Sequence, residues 1–474
     1  MNIPKSLRPL RWRLKTPERR LILFLGDLSV SWIGLFISLY FWSKRDQWFN
    51  FSLEFILDRP AEWFYLLPFI WLLLILELYD VRRSSRILDT IRGVAIAAGI
   101  SFVIYFFVFF ISEPKSLPRT GVAAFIIAVS ILTILWRLLY IKIFTAPQFL
   151  RRVIIVGAGR AGSNLVRALF TVKPLPFFIV GFVDDDPGKQ GTTIEKIPVL
   201  GNGIDLPRLL DDENISDVIF SISGQMNQTL LQNLLKAEEK GIEITTMPIV
   251  YEETLGRVPI LLLQSDWILR SFVDQAHAGG FYELAKRLMD IFGGLIGTLA
   301  LVLLAPFISL AIVLDSGRPV FFSQDRLGIN GQIYRITKFR TMYQDAEKDG
   351  KPRMAVENDH RVTRIGRFLR KSHLDELPQF LSVLMGSMSL VGPRAERPEL
   401  VDTLQEKIPF YRARLFVKPG LTGWAQVNYG YASTIEHTIT KLEYDLYYIK
   451  HRSLILDVLI ILRTAGAVFG LKGQ

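Results

Sequence analysis

Four long apolar stretches fall within the first 150 residues, at 21–42, 63–78, 94–111 and 122–144. Inside a bilayer every backbone N–H and C=O must be satisfied within its own segment, so each stretch is expected to be a membrane helix. A crossing takes about 20 apolar residues. The second stretch is short for that unless Ala61 and Tyr79 are counted with it. Polar breaks fall at 43–46, 80–92 and 113–119, between the stretches. Core helices of a soluble protein are the competing explanation. Against it, half of the residues are hydrophobic and phenylalanine is abundant, beyond an ordinary globular composition.

Basic residues give the orientation. Lys5, Arg8, Arg11, Arg13, Lys15, Arg19 and Arg20 precede the first stretch. Arg82, Arg83, Arg86 and Arg92 follow the second, and Arg151 and Arg152 follow the fourth. Four crossings put all three groups on one side, expected to be cytoplasmic; the opposite loops hold fewer. The first stretch is too long for a cleavable signal and no small-residue cleavage site follows it. The net charge of +11 favours anionic partners such as phospholipid, nucleotide or nucleic acid. Absence of cysteine excludes disulfides, zinc–thiolate sites and thiol nucleophiles.

Past the fourth stretch, "RRVIIVGAGRAGSNLVRAL" places G-x-G-x-x-G (Gly157, Gly159, Gly162) between a β-branched run, 153–156, and a helical pattern. In that context the glycines read as a nucleotide-binding turn, with the anion at the helix N-terminus. Asp184 ends a second strand, Phe177–Val183, where a ribose-binding acid belongs. Further strands at 217–221 and 242–246 flank a helix at 227–240. No catalytic constellation follows, so a dehydrogenase is not expected. Two uses of this Rossmann-like module stay open: binding a nucleotide-type ligand, or packing and dimerising without one.

A fifth apolar run, 291–314, is long enough to span, with Pro306 in its C-terminal half. A full crossing would place the remaining charged sequence outside the cell. Proline bends helices, so the run is expected to be a re-entrant helix that returns to the cytoplasmic face. An ordinary fifth crossing is the alternative.

The motifs "KRLMD" (286–290), "KFRTM" (338–342), "ENDHRVTRIGRFLR" (357–370), "SHLDELPQF" (372–380), "SMSLVGPRAERPE" (387–399) and "KPGLTGWAQV" (418–427) follow in order. Together they resemble the bacterial polyprenyl-phosphate sugar-1-phosphate transferases of the monotopic phosphoglycosyl transferase superfamily. With the membrane helices and middle module, the whole chain is similar to the long form that initiates exopolysaccharide synthesis. Ala305 departs from relatives that carry serine before the proline.

The acidic pair Asp375 and Glu376 has two readings. Pro378 is tolerated only in a first helical turn, so a helix starts near Leu374 or Asp375, and Asp375 could serve as its N-cap, or Ser372 and Asp375 as a weak capping box. Adjacent helical residues do not face each other, so the two acids are also suited to different tasks at a helix start, where a phosphoryl group is well held. The resemblance implies the second reading. In it Asp375 is the nucleophile that forms a phosphoaspartyl intermediate, and Glu376 holds Mg2+. Arg394 would hold the phosphate in the same resemblance; Lys338, Arg340, Arg361 and Lys418 suit phosphate by their charge, a solvated basic face or lipid headgroups being the alternative. Lys286, Arg287 and Asp290, with Pro306, anchor the re-entrant helix at the membrane interface.

The expected architecture is a membrane α-helical bundle (1–150), an α/β Rossmann-like domain (151–250), a linker (251–280), and a mainly α catalytic domain with a re-entrant helix (281–474). The expected activity is transfer of a hexose-1-phosphate from a UDP-sugar to undecaprenyl phosphate, with release of UMP, at the bacterial inner membrane. The oligomeric state stays open, with a homodimer through the middle module as one option. The competing classes are a membrane-anchored nucleotide sensor or scaffold, and a nucleic-acid binder; no nucleic-acid fold is recognisable, so nucleic acid is not an expected partner. Magnesium-dependent UMP release with polyprenyl phosphate separates the enzyme from both.

Overall fold

The computed structural model describes residues 16–44, 51–79, 87–111, 119–144, 151–172, 175, 177–222, 227–262, 279–344, 361–430 and 434–468. It divides into two units, Met1–Leu255 and Gly256–Gln474.

In the first unit, helices α1 (Thr16–Ser43), α4 (Ile87–Ile111) and α5 (Arg119–Phe144) are long and apolar enough to cross a membrane. After the short α2 (Leu53–Asp58), the second apolar stretch differs from a single helix. It is a 3₁₀ turn (Glu62–Leu66), α3 (Leu67–Leu74) and a second 3₁₀ turn (Leu76–Tyr79). Its helical part, Glu62–Leu74, is shorter than the helices long enough to cross. Outward side chains such as Phe36, Phe107 and Ile131 are exposed, as lipid-facing residues are. Inside, Trp71 donates to Thr133 Oγ1 at 3.1 Å. Arg137 pairs with Asp27 at 2.7 Å, Tyr79 donates to the same carboxylate, and a second Arg137 nitrogen reaches the Leu78 carbonyl. A membrane charge faces the bundle interior and takes partners there because hydrocarbon offers none. The arm from Lys5 to Lys15 and Arg82, Arg83 and Arg86 lie outside the described residues.

The rest of this unit is a six-stranded sheet: β1 (Arg151–Val156), β2 (Phe177–Val183), β3 (Thr193–Ile194), β4 (Ile197–Gly201), β5 (Asp217–Phe220) and β6 (Glu243–Thr246). The order is β3-β4-β2-β1-β5-β6, parallel except where β3 meets β4. The apolar run of β1 is central and buried, as a strand covered on both faces must be. Helices α6 (Arg160–Leu169), α7 (Leu206–Asp212) and α8 (Gln228–Glu239) connect the strands. Asn227 caps α8 by accepting the Thr229 N–H. Chain order reverses across β1, so the glycine turn after β1 sits at the switch point. Helix α9 (Met247–Leu255) closes the unit.

The boundary that follows differs from the expected linker. Residues 256–262 belong to the second unit: Val258 and Ile260 lie in its largest core cluster, Trp424 Nε1 donates to the Gly256 carbonyl at 2.8 Å, and Val258 N donates to the Glu443 carbonyl at 3.1 Å. Residues 263–278 lie outside the described set.

Helix α10 (Gly280–Ser316) runs without interruption through Pro306. The proline removes its own bond to the preceding turn, yet the helix continues. Both ends of α10 are tied to the same unit. Near its start Tyr282 and Lys286 bond Asp457, and Asp290 accepts from Ser389 and Leu390. At Gly297 a Cβ would lie 2.1 Å from the Phe380 ring, so glycine permits that close approach. Leu301 before the proline, and Ile308 and Ile312 after it, share one cluster with Phe339 and Leu369. At the end, Asp315 accepts the Ile365 N–H and Ser316 accepts from Arg340. A helix that crossed the bilayer would carry its far end about 30 Å from this polar unit. The opposite face, including Phe292, Leu299, Val302 and Phe307, is exposed and apolar.

Around α10 stand the hairpin β7 (Phe321–Leu327) and β8 (Ile333–Phe339), then α11 (Arg364–Lys371), α12 (Gln379–Met385), β9 (Ser389–Val391), α13 (Pro398–Lys407), β10 (Gly420–Thr422), α14 (Trp424–Asn428), α15 (Ile435–Lys450) and α16 (Leu454–Val468).

Candidate active site

Local sequence delivers the acidic pair to one turn. Thr363 caps α11 by accepting the Gly366 N–H at 2.9 Å. His373, in the left-handed conformation at φ 56°, ends that helix and redirects the chain into a 3₁₀ turn, Leu374–Glu376. Leu377 and Pro378 remain right-handed, and α12 follows. The capping explanation of the pair fails here. Neither the 3₁₀ turn nor α12 has a side-chain cap. Ser372 Oγ instead donates backwards to the Phe368 and Leu369 carbonyls, closing α11.

The two acids differ. Glu376 Oε1 accepts from Lys338 Nζ at 2.5 Å and Arg394 Nη2 at 2.9 Å. Burial alone would raise its pKa; the Arg394 and Lys338 charges overcome that and hold it at about 2. Asp375 is only 8% exposed. Among the described residues its carboxylate accepts no hydrogen bond. Burial, then the Glu376 charge, pushes its pKa above the usual aspartate value, against the pull of Lys338, Arg370 and His373. Environments that separate two neighbouring carboxyls in this way assign them different roles.

Each cation reaches the pair from a different element. Lys338 comes from β8. Arg394 follows β9, which pairs in parallel with β10, and the Pro393 carbonyl accepts the Gly420 N–H at 2.9 Å. Arg414 donates to the Arg394 carbonyl at 3.0 Å and to Asp445 at 2.8 Å. Glu396, held ionised at about 2 by Lys441 and Arg414 in spite of burial, anchors the same loop.

The other expected phosphate ligands are not gathered at the pair. Arg340 Nη2 donates to the Ser316 and Gly317 carbonyls and to Ser316 Oγ, so it caps the C-terminal end of α10. The Arg361 carbonyl accepts the Tyr343 N–H. The Lys418 carbonyl stands 2.3 Å from where a Gly392 Cβ would be, so its backbone walls the Arg394 loop; no described contact joins its amine to Glu376. Lys286, Arg287 and Asp290, expected to face headgroups, face protein. Lys286 also bonds the Val391 carbonyl, and Arg287 bonds the Val383 and Leu384 carbonyls at the end of α12. Arg370, one charge among many in the sequence, proves to act on Asp375 while its Nε donates to Thr341 Oγ1 at 2.9 Å. Its place one helical turn and a bend ahead of the acid was the available signal.

Among the described residues no cluster of three or more His, Asp or Glu forms a metal cage. Magnesium does not require one: it takes one or two carboxylates and fills its octahedron with substrate phosphate and water. The Glu376 oxygen that the two cations leave open fits that mode.

At the glycine turn of the first unit, Gly157 has φ 106°, which favours glycine, and a Cβ on Gly162 would meet the Gly157 carbonyl at 2.1 Å. Around Gly159 a Cβ would meet nothing within 4 Å. Asp184 is committed internally. It accepts the N–H groups of Ala158 at 2.7 Å and Asp186 at 3.0 Å and pairs with Lys189 at 3.2 Å; despite burial, these contacts lower its pKa.

Comparison with known proteins agrees with this geometry. Residues 281–471 match the bacterial sugar transferase model and residues 74–248 the CoA-binding domain model. An undecaprenyl-phosphate transferase of Escherichia coli named for UDP-glucose and glucose-1-phosphate is 42% identical over 66% of this chain and 67% of its own length. An exopolysaccharide production protein of Rhizobium leguminosarum is 39% identical over 38% of this chain and 92% of its own. The chain belongs to the bacterial sugar transferase family. Another member, an N-acetylgalactosaminephosphotransferase of Aeromonas hydrophila, is 47% identical over 40% of this chain. The match spans 44% of that relative's length, less than two thirds. The family's sugar transferase region coincides with the second unit from α10 onward, and the membrane helices make the chain a multi-pass membrane protein.

Proposed function

We propose that this protein transfers a hexose-1-phosphate from a UDP-sugar to undecaprenyl phosphate, through an intermediate on Asp375, and releases UMP. The observation that carries the reading is the split acidic pair: one buried carboxyl with no hydrogen bond, beside a second held as an anion by Lys338 and Arg394.

Asp375 attacks the phosphorus that bears the sugar; a carboxylate without hydrogen bonds has no donor to surrender first. Arg394 and Lys338 keep negative charge on Glu376 and raise the local potential for the diphosphate. Glu376 would hold Mg2+, which would supply neutralisation of the leaving phosphate. The acceptor phosphate then displaces the aspartyl oxygen and regenerates the carboxylate.

The placement of α10 supports an acceptor that lives in lipid. Its exposed apolar face and its two ends, both tied to one polar unit, favour a helix that dips into the membrane and returns. The basic loops favour the cytoplasmic leaflet of the bacterial inner membrane. The names of the relatives support a sugar phosphate as the transferred group.

The test is a panel of UDP-sugars offered to the full-length protein in membranes with undecaprenyl phosphate and Mg2+, read as UMP. Release with one sugar, dependent on both lipid phosphate and Mg2+, is expected. No release with any UDP-sugar would leave a sensor or scaffold.

A further inference from the structure

Gln379 stands out next to the acidic pair. It is 3% exposed, and its Nε2 is buried without a hydrogen-bond partner. The segment 374–385 stays right-handed through Leu377 (φ −51°, ψ −40°) and Pro378 (φ −60°, ψ −20°), so Gln379 lies one turn beyond Asp375 on the same face. One turn further along, Val383 packs with Ile336 of β8. Lys338, two residues beyond Ile336 on the same side of that strand, reaches Glu376. Gln379 therefore sits on the face of Asp375, between that acid and Val383.

A buried amide with no acceptor destabilises a fold, and evolution has an apolar replacement of the same length in methionine. Such orphaned donors persist where a ligand supplies the acceptor. Every group identified around the pair that could bond a phosphate is cationic; Gln379 is neutral, and its Nε2 has no partner.

We propose that Gln379 is a catalytic hydrogen-bond donor whose amide nitrogen bonds a non-bridging oxygen of the phosphoryl group during transfer. The role rests on the transferase reading. In the first step an Asp375 oxygen bonds to the sugar-bearing phosphorus, the bond from that phosphorus to the UMP oxygen breaks, and its electron pair leaves with UMP. In the second step an acceptor phosphate oxygen bonds to the same phosphorus, and the electron pair of the aspartyl–phosphorus bond returns to Asp375. The charge on the non-bridging oxygens is redistributed in both steps, where a fixed donor contributes most. Gln379 gains and loses no proton.

The test is Gln379→Met in the full-length protein in nanodiscs, with thermal melting and steady-state UMP release measured together. The expected result is an unchanged or raised Tm, with kcat down by roughly ten- to a hundredfold and little change in KM for the UDP-sugar. Gln379→Glu, which places an acceptor and a third negative charge there, is expected to lose at least as much. Activity of Gln379→Met within twofold of wild type overturns the role, and so does a fall in Tm that accompanies the loss of rate, which marks a structural amide. Wild-type protein that releases no UMP in response to polyprenyl phosphate overturns the transferase reading itself, and the role with it.

Discussion

Two turns in this molecule carry an aspartate beside a motif that sequence alone associates with phosphate. At the end of β2, Asp184 is satisfied three times over, by the Ala158 and Asp186 N–H groups and by Lys189. In the turn before α12, Asp375 is buried and accepts nothing among the described residues. The surroundings lower the pKa of the first and raise that of the second. A motif gives the residue type at a turn; hydrogen-bond satisfaction tells whether the side chain is holding the fold or waiting for a reactant.

The largest effect expected from this contrast is at Asp375. Asp375→Asn retains size and breaks no hydrogen bond, so Tm should hold, while UMP release falls by roughly 10⁴-fold or more, as for other nucleophile removals. Survival of the rate would place Asp375 with Asp184 as a structural acid.

Glu376→Gln comes next. It leaves Lys338 and Arg394 sharing a neutral oxygen and weakens the proposed metal site. Turnover is expected to drop by about 10²-fold, in the range of other lost charge-stabilising groups, with partial recovery as Mg2+ is raised. A rate indifferent to Mg2+ in both proteins would remove the metal from the account.

A smaller effect concerns pH. Only ionised Asp375 attacks phosphorus, and its pKa is raised, so kcat/KM should fall with acidification at a pH above the ordinary aspartate value of about 3.9. Lys338 is among the groups that pull this pKa down. In Lys338→Gln the acid limb should therefore move to higher pH. Movement to lower pH would assign the limb to another group.

The smallest effect is at Asp184. Its lowered folded pKa means that its contribution to stability is present above the unfolded value and is lost as pH falls through the folded one. Asp184→Asn should cost about 1 kcal/mol of stability and leave UMP release within twofold. Loss of transfer would show that the middle module takes part in catalysis.

Much of the architecture was legible. Long apolar runs left few options but membrane helices, and the β-branched run before Gly157 could only be a buried strand. The 3₁₀ turns in the second apolar stretch are not legible, because residue count does not reveal them. Val258 and Ile260 join the core of the second unit, which a short apolar run broken by Pro259 does not reveal in the sequence. The helical assignment of α10 runs through Pro306, with Leu301 before it and Ile308 and Ile312 after it in one cluster with Phe339 and Leu369. At the site, the sequence points to the Asp375–Glu376 pair and to Lys338 and Arg394, which the structure brings together. It does not tell that Arg340 bonds the end of α10 or that Lys286 and Asp290 bond within the second unit, because charge alone carries no contact. Gln379 was invisible because its significance lies in an absent partner, which only three-dimensional packing exposes.

The most direct measurement is to trap the proposed intermediate. Protein incubated with UDP-sugar labelled in the sugar and Mg2+, without polyprenyl phosphate, is quenched, digested and examined by mass spectrometry. The account predicts a sugar-phosphate adduct on the peptide containing Asp375, absent from Asp375→Asn and discharged by added undecaprenyl phosphate. Label that passes to the lipid with no adduct on that peptide, at a rate unchanged in Asp375→Asn, would contradict it.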